Sequence, residues 1–202
     1  FMLFYNNNSS TAVIVLHEIY GINSHIMAVC DKLAKYGFDV IAPNLLNQEE
    51  PYDYREEKAA YNNFKENIGF NQACSQIKAL LNKVKESHKK IYLLGFSAGA
   101  TIAWLCSEAS GCDLVIVFYG SRIRDYLTIK PKCPALLLFP STEPSFDVDS
   151  LLLHLAQIEN VEVAKIAGHH GFADPFSPHY DRAAAKKGCI ATTKFATKYK
   201  NY

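Results

Sequence analysis

The 202-residue chain contains no stretch approaching the roughly 18 continuous apolar residues of a membrane span, which argues against a helical anchor. An excess of charge of one sign is also missing. Lys and Arg number 21 against 20 Asp and Glu, a formal net charge of +1, so there is no electrostatic case for nucleic acid or for an anionic membrane as partner. The six cysteines (Cys30, Cys74, Cys106, Cys112, Cys133 and Cys189) form no CxxC pair and no framework spacing. Reduced thiols in a cytoplasmic protein are the economical reading. Phe1 to Tyr5, followed by Asn6-Asn7-Asn8-Ser9-Ser10, lacks the basic start and small-residue cleavage site of a signal peptide, in keeping with that expectation. Repeats, linkers and low-complexity tracts are absent too. The composition, 49% hydrophobic and 20% charged, is that of an ordinary globular chain, and the length suits one domain over 1–202 better than two.

What the chain does have is a regular alternation of two hydrophobic patterns. Apolar runs at 12–16, 39–42, 91–94, 114–118, 135–139 and 161–164 are nearly continuous, as expected of strands buried on both faces of a parallel sheet. Helical spacing lies between them. Asn23 suits an N-cap for a helix carrying Ile26, Val29, Leu33 and Ala34, and Gly37 stands where it would end. Helical patterns also cover about Glu56 to Glu86, with Gly69 as a break or bend, then Ala98 to Ala109, Val148 to Ile158 and His179 to about Tyr199. This order predicts an α/β sandwich with a mostly parallel central sheet flanked by helices.

The sharpest motif is Gly95-Phe96-Ser97-Ala98-Gly99, a Gly-x-Ser-x-Gly directly after an apolar strand and directly before a helix. Such a turn is tight enough to need small residues two before and two after the serine. Ser97 would stand at the carboxyl end of the sheet, where open α/β folds bind ligands, and at a helix N-terminus that favours nearby negative charge. A serine hydroxyl is a weak nucleophile until a base takes its proton. Two histidines after the last predicted strand, His169 and His170, are candidates; Gly171 leaves room for the His170 ring to reach Ser97. The triad acid should follow the strand ending at Phe139. Glu143 lies nearest that end, Asp147 is the alternative, and Asp149 resembles a helix cap. His169, His170, Asp174 and His179 fit no metal-ligand spacing well, so neither metal nor cofactor is expected.

With those residues placed, the chain resembles the dienelactone hydrolase family of the α/β-hydrolase fold over nearly its full length. The resemblance rests on Val15 to Asn23, Ala42-Pro43-Asn44-Leu45, Gly95 to Gly99, Phe118-Tyr119-Gly120, Pro134 to Glu143 and His170-Gly171-Phe172. It implies Ser97 as nucleophile, His170 as base and Glu143 as acid, with the backbone N–H groups of Ile19 and Ala98 as oxyanion hole. Three positions depart from the family pattern. Ser97 replaces the cysteine of the dienelactone hydrolases themselves, so Glu18, which in those enzymes helps control thiol ionisation, has no thiolate to hold. Glu143 stands where Asp is usual. The two arginines that bind the dienelactone carboxylate are missing, and Asp174 stands where one would fall, so an anionic substrate would be repelled there.

Tyr20 and Tyr119 follow strand ends on the expected active-site face, each able to offer a hydroxyl or simply to pack. His17 is read as a strand-end structural histidine, Arg122 and Arg124 as solvated loop charges, and Trp104 as core. The expected function is hydrolysis of a small ester or lactone through an acyl-serine. Thioesterase or peptidase action on the same triad and a non-catalytic binding module are the alternatives. A flavodoxin-like nucleotide site is disfavoured, because Glu18 stands where phosphate would be cradled.

Overall fold

Seven strands form one sheet in the computed structural model, which describes residues 2–199; Phe1 and residues 200–202 lie outside them. They are β1 (Met2–Tyr5), β2 (Thr11–Leu16), β3 (Asp39–Pro43), β4 (Lys90–Phe96), β5 (Leu114–Phe118), β6 (Ala135–Thr142) and β7 (Val161–His169). Their order is β1-β3-β2-β4-β5-β6-β7. All neighbours are parallel except β1, which runs antiparallel to β3 at the edge. Beyond β1 the chain starts at β2, steps to β3 on one side and returns to β4 on the other, so the order reverses between β2 and β4. That reversal opens a crevice at their carboxyl ends.

Helices cover both faces. Strand side chains alternate between two cores: Ala12, Ile14 and Leu16 of β2 join one and Val13 and Val15 the other. The first core also takes α3 (Gly69–Val84), α4 (Ala98–Cys106) and α5 (Val148–Leu155), through Ile77, Leu81, Trp104 and Leu151. The second takes α1 (Ser24–Lys35) and α6 (Arg182–Lys198), through Ile26, Cys30, Ala184 and Phe195. The parallel strands, covered on both sides, therefore read as continuous apolar runs. Asn23 caps α1 by accepting from the Ile26 N–H, and Gly37 follows the helix with φ +86°. All six cysteines are free thiols.

Several boundaries differ from the sequence expectation. Strand β1 was not expected: four residues with one half-buried face make a weak pattern, and pairing with β3 defines them. The single helical stretch from Glu56 to Glu86 is divided into a short 3₁₀ turn, α2 (Glu57–Asn63), a π-helical turn (Phe64–Ile68) and α3. Gly69 makes the break, with φ +67° and its N–H donating to the Phe64 carbonyl. Helices α4 and α5 stop at Cys106 and Leu155, short of Ala109 and Ile158, and α6 begins at Arg182 behind the Asp181 cap. Strand β6 runs past Phe139 to Thr142, because β7 continues beside it to His169 with an irregularity between Pro140 and Thr142. Pairing with β5 stops at Leu138, so Pro140, which lacks an N–H, lies where the sheet has only one neighbour.

Candidate active site

Ser97 occupies the one-residue turn between β4 and α4, with φ +51° and ψ −110°. A non-glycine residue with positive φ is uncommon and costly, and the surroundings hold it. The Ser97 N–H donates to the Phe118 carbonyl at 3.0 Å. A Cβ on Gly95 would lie 2.4 Å from the Gly99 carbonyl oxygen, and one on Gly99 would lie 2.2 Å from the Leu16 carbonyl oxygen. Both positions therefore exclude any side chain. Gly99 also lets the first turn of α4 press against the end of β2. This contact sets Ala98, at the head of α4, and Ile19, just past β2, beside Ser97 on the wall of one cavity.

The extended ends of β6 and β7 deliver the other two side chains. Glu143 follows Thr142 and His170 follows His169, one residue beyond each paired strand. His170 Nε2 lies 2.9 Å from Ser97 Oγ, and His170 Nδ1 lies 2.6 Å from Glu143 Oε1. The serine, imidazole and carboxylate thus form a continuous hydrogen-bonded line, with the Glu143 side chain only 5% exposed. The neighbouring His169 is exposed and its ring lies 6.0 Å from that of His179. Asp147 is elsewhere: exposed, it caps α5 by accepting from the Asp149 N–H at 3.0 Å and the Ser150 hydroxyl at 2.6 Å. The helix cap expected of Asp149 thus belongs to Asp147, which is committed away from the imidazole.

A buried polar cluster that sequence reasoning saw only in part contributes Glu18 and Asp174 to the wall of the same cavity as Ser97. Glu18 and Asp174 are 5% and 1% exposed, and with His25 they place one donor atom each within 4.8 Å of one another. Burial, then the nearby Asp174 charge, push the Glu18 carboxyl up to about 8, while the Tyr119 hydroxyl opposes the shift. The shift favours the protonated form of Glu18. Asp174 spends one oxygen on the Tyr54 hydroxyl and the other on the Phe176 N–H, which leaves it less free to ligate a cation. Tyr54 in turn accepts from Asn23. His25 sits 3.7 Å from Asp174, its ring edge-on to Phe96; burial lowers its pKa against the opposing pull of the Asp174 charge. His25 and Tyr54 were not singled out from the sequence. The available signal was a histidine beside the N-cap on the buried side of α1, indistinguishable without coordinates from a packing residue.

The remaining residues divide clearly. Tyr20 borders the cavity and packs on Tyr54 at 4.8 Å, whereas Tyr119 is fully buried, its ring against His170 and Phe172. His17 is buried outside the cavity: Nδ1–H donates to the Glu18 carbonyl and Nε2 accepts from the Leu45 N–H, so it clamps the end of β2 to the loop after β3. Trp104 is core, donating to the Tyr126 carbonyl. Arg122 keeps a solvent-accessible side chain, as expected of a loop charge, but lies at the cavity rim bonded to the Tyr61 hydroxyl and Asp125. Arg124 turns away, over the Phe146 ring.

Comparison with known proteins identifies the family and the fold. The sequence model described as "Dienelactone hydrolase family" matches residues 2–200. The uncharacterized protein YczH of Bacillus subtilis is 41% identical over 173 residues, covering 85% of each chain. Carboxymethylenebutenolidase 1 of Cupriavidus pinatubonensis is 22% identical over 191 residues, covering 88% of this chain and 81% of its own. Among solved structures, a dienelactone hydrolase-like promiscuous phosphotriesterase from metagenomic libraries superposes with a TM-score of 0.74 at 16% identity, over 94% of this chain and 86% of that one.

Proposed function

Since the chain belongs to the dienelactone hydrolase family and is an ester-cleaving hydrolase, we propose that it opens small neutral esters or lactones through an acyl-Ser97 intermediate. The observation that carries this reading is the line from Ser97 through His170 to Glu143, at 2.9 and 2.6 Å. Glu143 holds the imidazole with its proton on Nδ1, which leaves Nε2 free to accept the Ser97 proton. Ser97 Oγ attacks the substrate carbonyl, and the backbone N–H groups of Ile19 and Ala98 receive the oxyanion. His170 then protonates the departing alcohol. Water then gives a proton to His170 as its oxygen bonds to the acyl carbon, and collapse breaks the bond to Ser97 Oγ, which takes the proton back from His170 as the acid leaves. The position of Ala98 at the N-terminus of α4 adds the favourable end of the helix dipole.

Glu18 takes a different part from the one it plays beside a cysteine. A neutral acid on the cavity wall that Ser97 shares adds no negative charge to the site of the oxyanion, and the burial of Glu18 favours that form. Asp174 makes the inner cavity unwelcoming to a substrate carboxylate. The experiment is turnover of a short neutral ester by the wild type and by Ser97→Ala. The variant should lose activity by roughly 10³-fold or more. Retained turnover in a folded Ser97→Ala protein would end the proposal.

A further inference from the structure

The cavity extends well past the triad. It measures about 610 Å³, far more than a short acyl group and a small alcohol fill. Its outer wall is made of rings. Phe64 and Phe70 meet edge to face at 5.0 Å, and Phe70 meets Tyr126 the same way at 6.0 Å; all three border the cavity. Tyr20 and Tyr54 form a second ring pair on the same cavity. The local fold builds the outer wall: the π-helical turn and the positive-φ Gly69 bring Phe64 and Phe70 to the same surface. Tyr126 is fixed by the Trp104 indole, which donates to its carbonyl.

Apart from Glu18 and Asp174, the charged side chains bordering the cavity are two of each sign, Arg122 and Lys65 against Asp125 and Glu57. Arg122 at the rim is bonded to Asp125 at 3.2 Å and to the Tyr61 hydroxyl at 2.9 Å, so its charge is already answered. The inner end carries Glu18 and Asp174. A planar uncharged group suits such a chamber, because rigid rings pack on rings at low entropic cost and prefer edge-to-face or offset contact.

Resting on the hydrolase reading above, we propose that the ring wall of Phe64, Phe70 and Tyr126 is a subsite for an uncharged aromatic or conjugated group carried by the ester substrate. Such a group can enter on the acyl or on the alcohol side, and two matched substrate pairs separate these sources. Methyl cinnamate against methyl butanoate reports the acyl side, and benzyl acetate against butyl acetate reports the alcohol side. The readout is the aromatic-to-aliphatic ratio of kcat/KM, which does not depend on how much of a preparation is folded. In at least one pair the wild-type ratio should be roughly tenfold. Phe70→Leu and Tyr126→Leu should each bring it most of the way to one, chiefly through KM. Ratios near one for both pairs in the wild type overturn the subsite, as does a high ratio that neither variant changes. Either result leaves the hydrolase reading standing, which is tested separately by the loss of activity in Ser97→Ala.

Discussion

At the residue scale the adjacent histidines offer a direct contrast. His170 touches both Ser97 and Glu143, whereas His169 is exposed and touches neither. His170→Ala should therefore lower ester hydrolysis by roughly 10³-fold or more, and His169→Ala should cost little. A crippled His169→Ala enzyme would place the base wrongly. The acids form a second contrast. Glu143→Gln keeps the shape but presents the wrong tautomer, with a loss approaching ~10⁴-fold in kcat if no other carboxylate substitutes. Asp147→Asn keeps an oxygen that can accept from the Asp149 N–H, so it should leave the cap of α5 nearly intact and kcat nearly unchanged. The reverse ranking, in variants with unaltered circular dichroism, would move the acid to Asp147. Asp174 supports a third contrast: neutral short esters should exceed analogues with a free carboxylate near the reacting carbonyl in kcat/KM, and a preference for the anionic member would implicate Arg122.

At the scale of elements, the strand-to-helix turn around Ser97 is the most constrained part of the fold. Gly99→Ala would drive a methyl into the Leu16 carbonyl at 2.2 Å, where the neighbour is backbone and has little room to yield. It should lower thermal stability by roughly 1–3 kcal/mol or more and reduce kcat with it. Gly111→Ala, which meets only the Leu81 side chain at 3.4 Å, should change little in either assay. Equal effects in the two variants would show that the turn is not tight. The elbow was legible in sequence because steric demand leaves a trace in residue type. The six parallel strands were legible because burial on both faces leaves unbroken apolar runs. Strand β1 left no such trace, since its alternating exposure over four residues is set by pairing with β3. The π-helical turn was equally hidden: Gly69 announced a break, but nothing local distinguished a shift of one residue in hydrogen bonding from a plain bend. The Glu18, His25 and Asp174 cluster joins the segment running from β2 into α1 to the distant loop after β7, and only the fold brings them together.

At the scale of the whole molecule, buried titratable groups give stability an opposed pH dependence. Burial and the Asp174 charge raise Glu18 to about 8 from its ordinary 4.5, so the unfolded chain releases this proton well before the folded one. Stability from this group is complete below pH 4.5 and is lost as pH rises through 8. His17 works from the other side. Burial lowers it to about 4 from 6.5, so its contribution is complete above pH 6.5 and falls as pH drops through 4. Glu18→Gln should therefore gain more stability at pH 8 than at pH 5, by on the order of a few kcal/mol in urea unfolding. Parallel wild-type and variant curves across that range would show that Glu18 is not held protonated. The acyl-serine mechanism itself is tested most directly by intact-protein mass spectrometry after exposure to a fluorophosphonate probe, with peptide mapping of the adduct. One equivalent should attach at Ser97 in the wild type and none in Ser97→Ala, whereas an adduct on another residue, or one that survives the substitution, would contradict Ser97 as nucleophile.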